Sequence, residues 1–110
     1  MANTFKLNTK AGGAVGANTD ITVLTAATTT ILIGLTISNK VSNAVTVDVK
    51  LESSTAGNAN VNIGQNLPIP SGSSLDALAG KVCMNTGDIL KIQSDTANSI
   101  DIALSIMEIT

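Results

Sequence analysis

The chain of 110 residues contains no histidine, tryptophan, tyrosine or arginine, and only one phenylalanine (Phe5) and one cysteine (Cys83). Each absence removes a class of function. Without histidine there is no ordinary general base for a hydrolytic triad. One cysteine and no histidine fall short of the ligands a zinc site needs, and a lone cysteine cannot close an intramolecular disulfide. Single-stranded nucleic acid is held by stacked aromatics, and duplexes by a basic surface. Phe5 and six scattered lysines, set against eight acids, supply neither. Sugar sites also favour aromatic platforms, which this chain lacks. The net charge of −2 indicates no polyanion-binding surface or acidic tail. No apolar run approaches the ~20 residues of a bilayer-crossing helix. Met1-Ala2-Asn3-Thr4 opens without a basic stretch leading into an apolar one, so the expectation is a protein folded in a cytoplasm.

What remains is rich in Val, Ile, Leu and Ala, with Ser, Thr and Asn dominating the polar set. That is strand composition with turn chemistry between strands, in a length that makes one domain. Periodicity places the strands. Over residues 44–52, Val45, Val47, Val49 and Leu51 alternate with Thr46, Asp48, Lys50 and Glu52, a period only a strand presents to one face. Over residues 30–39 the pattern sets Ile31, Ile33, Leu35 and Ile37 on one face, with Gly34 suggesting a bulge. Residues 39–43 then read as a connection between antiparallel neighbours. Over residues 99–110, Ile100, Ile102, Leu104 and Ile106 form one stripe, after which the phase shifts to Met107 and Ile109. A bulge near Ile106 explains the shift, as does a partner covering both faces of the strand end.

Weaker strands are expected over residues 20–25, 60–64, 74–78 and 88–94. Turns fall at Pro68-Ile69-Pro70-Ser71-Gly72 and Asn85-Thr86-Gly87-Asp88. The sum is a single antiparallel β-sandwich of about seven short strands over residues 19–110, immunoglobulin-like or jelly-roll-like. Residues 1–18, polar and carrying Gly12, Gly13 and Gly16, are expected to be a flexible arm that orders on binding. Phe5 and Leu7 on that arm, with Met107 and Ile109 at the phase shift, are the candidate partner-binding residues.

Candidate chemistry is sparse. Cys83, in the context Val82-Cys83-Met84, reads as a small buried hydrophobe. Asp88, Asp95 and Asp101 lack the dense spacing of a calcium loop and read as turn and strand-face residues. Residues 11–16 are glycine-rich but open no helix and are not followed by Lys-Ser or Lys-Thr, so they make no phosphate loop. Thr28-Thr29-Thr30 starts a strand and does not recur as an ice-binding array would require. No catalytic residue, cofactor or metal is expected.

Several segments occur in a characteristic order: Met1-Ala2-Asn3-Thr4-Phe5-Lys6, Ala26-Ala27-Thr28-Thr29-Thr30 before Ile33-Gly34-Leu35, Val45-Thr46-Val47-Asp48-Val49-Lys50-Leu51, Pro68-Ile69-Pro70-Ser71-Gly72, Thr86-Gly87-Asp88 and a terminal Glu108-Ile109-Thr110. In this order they resemble small virion structural proteins of tailed bacteriophages, of the type frequent in cyanophages and other marine phages. The likeness runs nearly end to end and departs in the glycine-rich residues 10–18 and in Cys83. It implies a non-enzymatic protein made in the host cytoplasm and resident in the virion. It also implies association with the major capsid protein or other virion proteins, as a homo-oligomer on the virion; from the composition, no contact with nucleic acid or membrane is expected. A capsid decoration (cement) protein is the leading expectation. A neck, tail or fibre component, or a carbohydrate- or receptor-binding module, are the alternatives.

Overall fold

The computed structural model describes residues 3–11, 18–78 and 80–109. They form nine strands: β1 (Asn3–Ala11), β2 (Asp20–Thr25), β3 (Thr29–Asn39), β4 (Val45–Glu52), β5 (Val61–Ile69), β6 (Ser74–Asp76), β7 (Val82–Met84), β8 (Ile89–Ser94) and β9 (Ile100–Ile109). Two antiparallel sheets result. Sheet A runs β1-β9-β3-β6, with β7 also on β3, and sheet B runs β2-β8-β4-β5. Strands β6 and β7 pair with opposite ends of β3, at Thr36–Ser38 and Thr30–Leu32, and together act as one interrupted strand. The pairings are then nested: β4 with β5, β3 with β6 and β7, β2 with β8, β1 with β9. This is one long hairpin folded across itself, the jelly-roll form of the expected sandwich.

Alternation builds the core. From β4, Val45, Val47 and Val49 point inward; from β8, Leu90 and Ile92; from β9, Ile100, Ile102, Leu104 and Ile106. Each such side chain contributes roughly 1.5–3 kcal/mol relative to exposure. Met84 and Ile69, at the ends of β7 and β5, complete the filling.

Three expectations are corrected. Residues 39–43 do not join neighbours: β3 lies in sheet A and β4 in sheet B, so the segment crosses between sheets. Asn39 anchors that crossing from a buried position, its Nδ2 donating to the carbonyls of Asn43 (2.8 Å) and Ile69 (3.0 Å) and its Oδ1 accepting from the Val41 N–H (2.9 Å). In β3, Leu32 rather than Ile33 joins Leu35 and Ile37 in the core. The register slips between Leu32 and Gly34, opposite Ile106 and Ser105, and the extra residue turns Ile31 and Ile33 outward. The irregularity near Ile106 thus belongs to β3, since β9 keeps an unbroken register with β1. Finally, Pro68 sits inside β5 and not in the turn, which closes at Pro70–Ser73 (Ser73 N–H to Pro70 O, 3.2 Å). Proline is tolerated there because β5 is an edge strand.

Residues 3–11, expected within a flexible arm, form β1, while residues 12–17 lie outside the described residues. β1 buries nothing: only Asn8 is even half-buried. It is an added edge strand rather than a part of the core.

Candidate docking surface

Paired residues on neighbouring antiparallel strands share a face, so the registers state what each face of sheet A presents. Phe5 lies opposite Met107, Met107 opposite Ile31, and Ile31 opposite Cys83. One rung therefore crosses β1, β9, β3 and β7 with a side chain of apolar character from each. Because Ile106 and Leu32, the residues adjacent to Met107 and Ile31, are buried, this rung faces away from the core. Ile109 lies one rung to one side, opposite Asn3 and Thr29, and Leu7 one rung to the other, opposite Ser105. Ile33, extruded by the β3 bulge, adds to the same patch. Phe5 is 73% exposed, Leu7 65% and Ile33 39%.

The four residues singled out from the sequence thus stand together on the outer face of sheet A. Sequence reasoning missed Ile31 and Ile33, because it placed them in the core, and Cys83, because it read that residue as buried. Cys83 is exposed. In the three-residue β7, Met84 takes the inward position and alternation sends Cys83 out. The signal for the isoleucines was Gly34: a bulge there reverses the phase of everything before it.

The rest of that face is different. Beyond the apolar patch it carries Thr9, Ala11, Thr36, Ser38, Asp101 and Ala103, which line a shallow depression, and Asp101 pairs with Lys40 at 3.3 Å. The outer face of sheet B is polar, with Asp20, Asp48, Lys50, Glu52 and Lys91 set among Thr22, Thr46 and Gln93. Lys50 on β4 pairs with Asp20 at 3.0 Å, reaching across β8 to β2, and Lys91 on β8 pairs with Glu52 of the adjacent β4 at 3.1 Å, so the two lysines that sit opposite each other each have an acidic partner. One side of the sandwich is therefore dressed for water, and one end of the other is not.

The acidic residues have structural partners. Asp88 is buried in the turn between β7 and β8, its Oδ1 accepting from Ser53 Oγ (2.8 Å) and its Oδ2 from the Asn85 N–H (3.0 Å). Asp95, in the turn between β8 and β9, accepts at Oδ1 from the Thr46 N–H (3.1 Å) and Thr96 Oγ1 (3.0 Å). Slight burial alone would raise its pKa, but these hydrogen bonds outweigh it and hold the carboxyl below its ordinary value. Among the described residues, no three Cys, Asp or Glu gather as a metal site.

No protein-family model and no curated protein matches the chain. Solved structures do. One is of Bacillus endospore appendages, which form a family of disulfide-linked pili (TM-score 0.54, 12% identity, covering 97% of this chain and 86% of that one). Another is of infectious bursal disease virus, Gt strain (TM-score 0.47, 11% identity, covering 98% of this chain and 31% of that one). A third is a pentameric capsid protein isolated from metagenomic phage sequences (TM-score 0.41, 19% identity, covering 92% of this chain and 62% of that one). The first establishes a shared fold and nothing beyond it; the lower scores of the other two carry no weight.

Proposed function

We propose that this jelly roll is a virion structural protein of a tailed bacteriophage, and that it docks on the capsid lattice as a decoration protein through the outer face of sheet A. The observation that carries the reading is the apolar rung Phe5–Met107–Ile31–Cys83, flanked by Leu7, Ile33 and Ile109. A contiguous exposed patch of this kind on a small protein marks an interaction site. An aromatic and a methionine within the patch and a polar rim match the anatomy of protein interfaces. The jelly roll recurs in viral capsid proteins, which is analogy at the level of fold. The ordered sequence resemblance supplies the virion context. A protein that acts by covering a lattice needs a complementary face and no reacting group.

The test is made on purified virions. A decoration protein occupies repeated lattice positions, so quantitative mass spectrometry should find it in numbers approaching those of the major capsid protein. Cys83 should react with a maleimide in the free protein and be shielded on the particle. A copy number set by the low symmetry of a neck or tail would replace the decoration reading with the tail one. An equally reactive Cys83 on the particle would show that sheet A does not face the capsid.

A further inference from the structure

Four sheet edges exist, and three are blunted in the ways that discourage further pairing. β5 carries Pro68 and two register shifts. β6 and β7 are three residues each. β2 is six residues with a shift between Thr22 and Leu24. β1 is the exception: nine residues, free of proline, in unbroken register with β9 on one side and, among the described residues, without a paired strand on the other. It turns Lys6, Asn8 and Lys10 to the side where β9 buries Ile106, Leu104 and Ile102, with Lys6 and Lys10 exposed and Asn8 half-buried. Its outer side carries Phe5, Leu7 and Thr9.

We infer that β1 pairs with β1 of a second copy, antiparallel about a two-fold axis at Leu7, to make one continuous sheet across the dimer. Self-complementarity selects both partner and register. A two-fold axis normal to the sheet keeps outer residues outer, so odd-numbered residues must meet odd-numbered ones. Centring on Lys6 sets Lys6 against itself, and centring on Asn8 sets Lys6 against Lys10 twice; like charges directly opposite are destabilising. Centring on Leu7 pairs all nine residues of the strand. Lys6 then meets Asn8, Thr4 meets Lys10, Phe5 meets Thr9, and Leu7 meets its own copy. Lys6 is already engaged by Glu108 at 2.7 Å, which lowers the charge at the seam. On the outer face, each Phe5 lies diagonal to the other copy's Leu7, within reach of an aromatic ring. The two most exposed large apolar residues among those described thus cover each other, and the apolar rungs of both copies face the same side. The inference does not depend on what that side docks to.

The isolated full chain tests it. Sedimentation equilibrium should show a monomer–dimer equilibrium. Asn8→Lys, which puts a cation opposite Lys6 at two symmetric positions, should weaken the dimer about fivefold, and Asn8→Asp should tighten it by a similar factor. Thermal melts should confirm that both variants stay folded. In a Cys83→Ser background, Leu7→Cys should cross-link on oxidation. Thr9→Cys should not, because its two copies lie about 13 Å apart along the strands, beyond the ~7 Å limit of a disulfide. The inference is overturned by a wild-type protein that stays monomeric, by Asn8 substitutions that shift the equilibrium in the same direction, or by Thr9→Cys linking as readily as Leu7→Cys.

Discussion

Asn39 shows how much of this fold rests on a single polar side chain. Its amide gives two hydrogen bonds to carbonyls and takes one from a backbone N–H, all from a buried position. Asn39→Asp keeps the shape but turns the donating nitrogen into an oxygen facing two carbonyls. It should cost about 2–4 kcal/mol in a chemical-denaturation midpoint, and a change within error would remove Asn39 from this role. Asp95 makes a subtler contribution. Its folded pKa lies below the ordinary 3.8, so the stabilisation it brings is complete above that value. It is lost as pH falls through the lower, folded one. Asp95→Asn should therefore flatten the acid side of the stability profile below about pH 4 and leave neutral pH little altered, because the group is exposed. At neither position does the sequence disclose the partner: Ile69 and Thr46 are brought in from distant strands.

At the scale of elements, alternation was a sound guide wherever one face of a strand meets the core and the other meets water. β4 is the clearest case, and Val47→Asp should bury an unpaired charge and unfold the domain. Lys50→Ala removes only a surface pair with Asp20 and should cost under about 1 kcal/mol. Equal melting temperatures for the two would contradict the strand's orientation. Alternation misled in β3, where one inserted residue reversed the phase for Ile31 and Ile33. β1 alternates just as regularly, Phe5, Leu7 and Thr9 against Lys6, Asn8 and Lys10, but with no core stripe to mark it the pattern went unread. Removing residues 2–10 should leave the sandwich folded, since β1 buries nothing. Far-ultraviolet circular dichroism should keep its strand signal, with a lower melting temperature because β9 loses the ladder on its outer edge.

For the whole molecule, the two outer faces divide the work. The paired charges of sheet B keep one side in water, and the apolar rung of sheet A leaves the other to be covered. Phe5→Ser combined with Met107→Ser should barely change the stability of the free protein, because both side chains point away from the core. On particles it should lower occupancy at least tenfold, by removing two of the largest apolar side chains of the contact. A binding assay to particles depleted of the protein reads this directly, and undiminished binding would move the docking surface elsewhere.

The strand composition, the period-two stripes of β4 and β9 and the lack of catalytic groups are local properties. The sequence by itself determined from them an all-β sandwich without an evident active site. It also nominated Phe5 and Leu7, as apolar residues on a polar arm, and Met107 and Ile109, as apolar residues beyond the core stripe of β9. That these four share one surface was decided only by the tertiary structure. Their meeting depends on β1 lying beside β9 and β9 beside β3, pairings between residues 61 to 106 positions apart along the chain, with register set by nested hairpins. The same register brought in Ile31 and Cys83, whose neighbours in sequence say core and whose neighbours in space say surface.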